Sequence, residues 1–117
     1  MNRGLKIGVT IAGTLLGLWM FLAGIQKFLA REAFEQMFAD FGLPLWSVPL
    51  IGVAELAGAL LVLIPRTAVY GAGLIGAVMV GAAACHLLSG SGSPIPALTA
   101  LLLAGSVGVI RLRAAAG

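Results

Sequence analysis

The stretch Val48–Ile64, VPLIGVAELAGALLVLI, decides how this chain is read. Apart from Glu55 it is built of Ala, Leu, Val, Ile, Gly and one Pro, the composition of a helix passing through lipid. A carboxylate at that depth costs roughly 2.5–3.5 kcal/mol even on lenient insertion scales, so it calls for a partner or a task. Working outward, three more apolar blocks appear: Ile7–Ile25, Ala68–Leu88 and Ile95–Ile110. A helix needs about 20 apolar residues to cross the hydrocarbon core. Ile7–Ile25 and Ala68–Leu88 meet that length, and flanking residues extend the two shorter blocks by a turn.

Composition agrees. The 117 residues are 61% hydrophobic and 9% charged, with a mean hydropathy of +1.12, whereas globular domains carry about 25% charged residues. Four spans consume nearly the whole chain and leave no space for a soluble catalytic domain. The expected fold is an all-α membrane protein. It is an antiparallel bundle of four transmembrane helices in a single domain, residues 1–117, with spans near 5–29, 47–64, 67–89 and 94–111. The N-terminal apolar run is longer than a signal-peptide core and lacks a clear cleavage site, so it reads as a retained first helix.

Charge sets the orientation. With four spans, Arg3, Lys6, Arg66, Arg111 and Arg113 share one side without any acid, while Lys27, Arg31, Glu32, Glu35 and Asp40 lie toward the other. The positive-inside rule then places both termini in the cytoplasm. The net charge of +3 is thus a topology signal and not a nucleic-acid patch. A lone cysteine, Cys85, excludes an intrachain disulfide or a thiol-exchange pair. One histidine excludes a bis-histidine haem and makes an all-protein zinc site unexpected.

Between the first two spans, Phe34, Met37, Phe38 and Phe41 recur at helical spacing, with Glu32, Glu35, Gln36 and Asp40 on the remainder. Residues 31–43 therefore form a short interfacial amphipathic helix or fold back over the bundle as a lid. Gly42-Leu43-Pro44 ends it, and Trp46 follows at interfacial level. Ser89 to Pro94 reads as a flexible outer loop. Small residues four apart (Gly4/Gly8, Gly13/Gly17, Gly73/Ala77/Gly81, Ala104/Gly108) suit close helix packing in lipid. Packing within one chain accounts for them, and a homo-oligomer stays open. Cys85 reads as a small apolar helix residue. Trp19 and Phe21 read as packing or lipid-facing, and Thr10 and Thr14 as bonded to their own backbone.

Topology brings three ionisable groups to one level. Lys27 lies near the outer end of the first span, Glu55 about 10 Å into the second, and His86 roughly 3–5 Å below the end of the third. Gln26 is a fourth candidate. One reading is a structural staple in which Lys27 and Glu55 neutralise each other. The other is a polar pocket opening outward that binds a small polar head group such as a quinone ring. In it His86 or Lys27 would donate to a carbonyl and Glu55 would carry protons.

The segments Ala23 to Phe28, Phe41 to Pro44, Gly52 to Gly58, the exit to Pro65-Arg66, and Met79 to His86 together resemble the DoxX-like family. The resemblance covers most of the chain and implies a four-helix bacterial inner-membrane protein, with Lys27, Glu55 and His86 at recurrent polar positions. It also implies a quinone or a redox enzyme as partner, because some members are linked to quinone-dependent sulfur oxidation or membrane redox complexes. The chain is then an accessory or ligand-binding subunit and not an enzyme on its own. It holds no covalently bound cofactor or metal site, and its candidate binding or proton-relay residues are Glu55, Lys27, His86 and Gln26. A small proton-coupled exporter is the second class, favoured if Glu55 is unpaired. A structural membrane scaffold is the third.

Overall fold

The computed structural model describes residues 2–90 and 92–116, so Met1, Ser91 and Gly117 lie outside it. Five α-helices follow in order: α1 (Arg3–Leu29), α2 (Arg31–Asp40), α3 (Ser47–Leu63), α4 (Ala68–Ser89) and α5 (Ile95–Ala116). Asn2 caps α1 by accepting a hydrogen bond from the Leu5 N–H at 2.7 Å. Gly42 (φ 80°) ends α2 and Gly90 (φ 68°) ends α4, each in the left-handed region that glycine enters without strain. A single 3₁₀ turn, Pro65–Thr67, joins α3 to α4. Proline supplies the fixed φ at its first position, and Thr67 Oγ1 donates to the Leu61 carbonyl at 2.8 Å.

Helices α1, α4 and α5 are long and apolar enough to cross a membrane; α3 is shorter, at 17 residues. At 1.5 Å per residue α3 spans about 25 Å, a little less than the hydrocarbon core. The long helices close into a ring, α1 on α3, α3 on α4, α4 on α5 and α5 back on α1, with α2 resting on α1 and α3. Close neighbours descend along one helix as they ascend along the next. Gly13 meets Val62 and Gly24 meets Gly52, while Gly58 meets Ile75 and Ala72 meets Gly108.

The interior is narrow and made of small residues around a few large ones: Ala59, Ala100 and Ala104 beside Leu16, Met20 and Ile75. The exterior carries the bulk, including Leu15, Leu18, Leu22, Leu50, Leu60, Leu102 and Val109, all exposed. In water such an apolar exterior would be an aggregation liability. In lipid it is the solvated surface, and the chain is a membrane protein. Trp46 and Tyr70, both exposed, stand at the start of α3 and of α4, at opposite ends of the bundle.

Two packing expectations need correction: on α1, Gly4 and Gly8 are exposed, and nothing lies within 4 Å of a Cβ built at Gly8. The α4 series Gly73, Ala77 and Gly81 does not pack inside the bundle; all three are exposed, and nothing lies within 4 Å of a Cβ built at Gly73 or Gly81. The close contact on α4 is made instead by Gly71, where an added methyl would overlap the Val62 amide and reach 2.8 Å from the Gly58 carbonyl. The last helix runs to Ala116, a little beyond the expected span. Arg and Ala are strong helix formers and carry the hydrogen-bonded turns beyond the apolar block.

Candidate functional site

On α1 the inward stripe runs Val9, Gly13, Leu16, Met20, Gly24 and then Lys27. On α3 it runs Val48, Gly52, Glu55, Ala59 and Val62. Gly24 and Gly52 face each other so closely that a Cβ on Gly24 would sit 2.9 Å from the Gly52 carbonyl oxygen. That approach brings the Lys27 stem over Gly52, 3.2 Å from where a Cβ would be. Glu55 lies one turn further along the same face of α3. Lys27 Nζ stands 2.6 Å from Glu55 Oε1. The contact is a short ion pair and not a well-aligned hydrogen bond. Lys27 is 8% and Glu55 3% exposed, so both charges are largely withdrawn from bulk solvent.

His86 continues the α4 stripe Ile75, Met79, Ala83 and is half-buried. Its ring meets the Phe41 ring edge to face at 5.0 Å. Gly92 (φ 69°) lies close to the imidazole, where a Cβ would come within 3.0 Å of Cε1 and Nδ1. Any side chain at position 92 would therefore displace the imidazole as well as strain the backbone.

A cavity of about 230 Å³ brings Lys27, Glu55 and His86 onto one wall system with Trp19, Met20 and Met79. The apolar face of α2, Phe34, Met37, Phe38 and Phe41, closes it from the end of the bundle where α1 stops and α3 starts. The Phe34 ring covers Lys27 Nζ at 4.6 Å, within cation–π range. Residues 31–40 fold against the end of the bundle, with Phe38 buried and Phe34 half-buried. The polar groups accordingly lie beneath aromatic rings and do not open directly outward.

Gln26 does not join them. It is exposed and absent from the cavity wall, because successive helix residues point about 100° apart and Lys27 takes the inward position. Trp19, read as packing or lipid-facing, lines the cavity half-buried, whereas Phe21 is exposed. Cys85 is half-buried on the wall of an adjoining groove. Toward the opposite end, Thr10 and Thr14 donate to the Lys6 and Thr10 carbonyls at 2.8 Å, as expected. Thr10 Oγ1 also accepts from Arg111 Nη2 at 3.3 Å, a contact that sequence spacing did not suggest.

Burial separates this ion pair from the other one described. Arg31 Nε and Glu35 Oε1 are 2.9 Å apart on α2, but the Arg31 side chain is 54% exposed. Exposed i,i+4 pairs contribute a few tenths of a kcal/mol. Arg31→Ala is expected to shift stability by no more than about 0.5 kcal/mol, read as a near-unchanged detergent melting curve.

The cavity bounds the chemistry it can support. At about 230 Å³ it is smaller than the roughly 300–1,000 Å³ of drug-sized sites, so it suits one ring or head group. Its polar groups, an ammonium, a carboxylate and an imidazole, can hydrogen-bond a carbonyl or hydroxyl and relay a proton. These features define a helical membrane protein with a small, largely apolar cavity whose wall carries three ionisable side chains. The sequence pattern of the DoxX-like family matches residues 11–110, and the chain belongs to that family. It is similar to the Bacillus subtilis (strain 168) protein named "Putative oxidoreductase CatD", with 34% identity over 62 residues. That alignment covers 53% of this chain and 46% of the relative, so the chain spans about half the length of the curated relative it matches. No solved structure matches the chain.

Proposed function

We propose that this chain is a four-span antiparallel bundle of the bacterial inner membrane, with both termini cytoplasmic, whose roofed cavity binds the polar ring of a quinone. It serves as the accessory or ligand-binding subunit of a membrane redox system. The observation that carries the reading is the convergence of Lys27, Glu55 and His86, from three different helices, on one ring-sized cavity beneath aromatic side chains. Lys27 or His86 donates to a quinone carbonyl, and Glu55 with His86 takes up or releases the protons that accompany reduction; the electrons come from a partner enzyme. The name of the Bacillus subtilis relative supports the redox setting. The descending contact pairs support the antiparallel arrangement, and the Arg111–Thr10 contact brings two of the cationic ends together.

Pairing of Glu55 with Lys27 weighs against a proton-for-cation exporter, which needs the carboxylate for its substrate. A pure scaffold predicts that substitutions in the cavity change assembly alone. Native mass spectra of the detergent-purified protein distinguish these. Wild type is expected to carry a lipid-soluble ring compound that Glu55→Gln loses. Wild type and Glu55→Gln that are equally folded and equally empty would contradict the reading.

A further inference from the structure

A second hollow adjoins the first. It measures about 410 Å³ and lies between α2, α3 and α4, with Ala77, Gly81 and Cys85 along its α4 side. Apart from the Cys85 thiol its wall is apolar. Five side chains, Phe38, Phe41, Ile51, Val78 and Ala82, border both hollows. The groove and the cavity are therefore separated only by this shared layer of side chains. Ala77 and Gly81 are exposed, so the groove gives onto the flank of the bundle, the surface that faces acyl chains.

The cavity's outer end is bordered by aromatic rings. Phe34 lies over Lys27 at 4.6 Å, and the His86 ring meets Phe41 edge to face at 5.0 Å. A ligand arriving at the outer end meets the aromatic rings of α2, and one arriving from the membrane meets the shared side chains. A purely apolar groove leading to a cavity with three ionisable groups has the polarity of an amphiphile laid sideways. Ala77 and Gly81 of the outward-facing stripe line the groove, and bulk at either position would fill it.

We propose that this groove is the tail channel of the cavity: the ligand is a membrane-resident amphiphile with its polar ring beside Lys27, Glu55 and His86 and its apolar tail running between α3 and α4 into lipid. The inference rests on the head-group reading of the cavity given above. Lipid is as apolar as the groove, so a tail gains little from leaving one for the other. The channel acts by shape, admitting tailed molecules that a filled groove excludes.

The test compares decylubiquinone with its tailless counterpart ubiquinone-0. The chain has two tryptophans; in a Trp46→Phe background Trp19, in the cavity wall, reports quinone binding by saturable quenching. Leucine at position 81 enters open space, since nothing lies within 4 Å of a Cβ there. Gly81→Leu is expected to weaken decylubiquinone by about tenfold or more while leaving ubiquinone-0 within about twofold. Ala77→Leu, one turn away on the same wall, is expected to do the same and serves if Gly81→Leu does not fold. Decylubiquinone binding unchanged by both variants, or loss of both quinones in equal measure, would overturn the tail channel while the head-group reading stands. Failure of both quinones to bind the wild-type cavity would overturn the head-group reading and the channel with it.

Discussion

Lys27→Met is expected to destabilise the protein by about 3 kcal/mol, whereas the double substitution Lys27→Met/Glu55→Leu recovers most of that loss. The single change leaves a carboxylate 3% exposed with its counter-ion gone, facing methylenes and aromatic rings. Breaking a buried pair from one side typically costs about 3–5 kcal/mol, and a lone charge at membrane depth roughly 2.5–3.5 kcal/mol. The double change replaces two mutually compensating charges by apolar groups of similar volume, which is often neutral or stabilising. The 2.6 Å pair is thus weak as a source of stability and strong as a constraint. Denaturation curves in mixed detergent, arranged as a double-mutant cycle, read the coupling directly. Single variants within about 0.5 kcal/mol of wild type would mean that water or lipid head groups already solvate the pair. The double variant has a second use, since it is folded yet lacks the charged wall of the cavity. If it still supports the protein's biological role, that role is structural.

Gly71→Leu carries the second large expected effect. A side chain there overlaps the Val62 amide and approaches the Gly58 carbonyl and the Leu61 carbonyl carbon, both at 2.8 Å. All three are backbone atoms, which cannot move aside as a flexible side chain can. Overpacking of a tight interface costs about 1–3 kcal/mol, and more where backbones must part. In lipid the close approach of helices is the main source of association, so α3 and α4 are expected to separate in Gly71→Leu. Gly73→Leu, two residues on, enters open space and is expected to leave the melting profile unchanged. Equal behaviour of the two variants would contradict the α3–α4 contact.

Much of this architecture is legible in the sequence because lipid makes the signal coarse. Helix α3 at Ser47–Leu63 and α4 at Ala68–Ser89 differ by a residue from the apolar blocks and their flanks. Depth along the membrane was also readable, since 1.5 Å per residue places Lys27, Glu55 and His86 at one level. Rotation about each helix was not. Outward and inward faces are both apolar here, so no amphipathic pattern marks which side Gln26 or Lys27 takes. What marks it is the spacing of small residues against the partner helix: Gly24 and Gly52 bring α1 onto α3, and Lys27 and Glu55 each follow their glycine by three. The stripe of Gly73, Ala77 and Gly81 has the same spacing and faces outward, so spacing alone does not separate the two cases. The role of α2 turns on where Phe34 and Phe41 find partners. His86 is distant from Phe41 in sequence, Lys27 lies across a helix break from Phe34, and the amphipathic pattern fits a membrane surface as well as a roof.

His86 offers the most direct test of the central claim, because it is the chain's one histidine and sits on the cavity wall. Untagged protein carrying ¹⁵N-histidine in lipid nanodiscs gives a single imidazole side-chain signal set. Titration with ubiquinone-0 is expected to shift those signals saturably in wild type and to leave them in place in Glu55→Gln. Imidazole signals that do not move in folded wild-type protein, at quinone concentrations saturating the membrane, would contradict the cavity as a quinone head-group site.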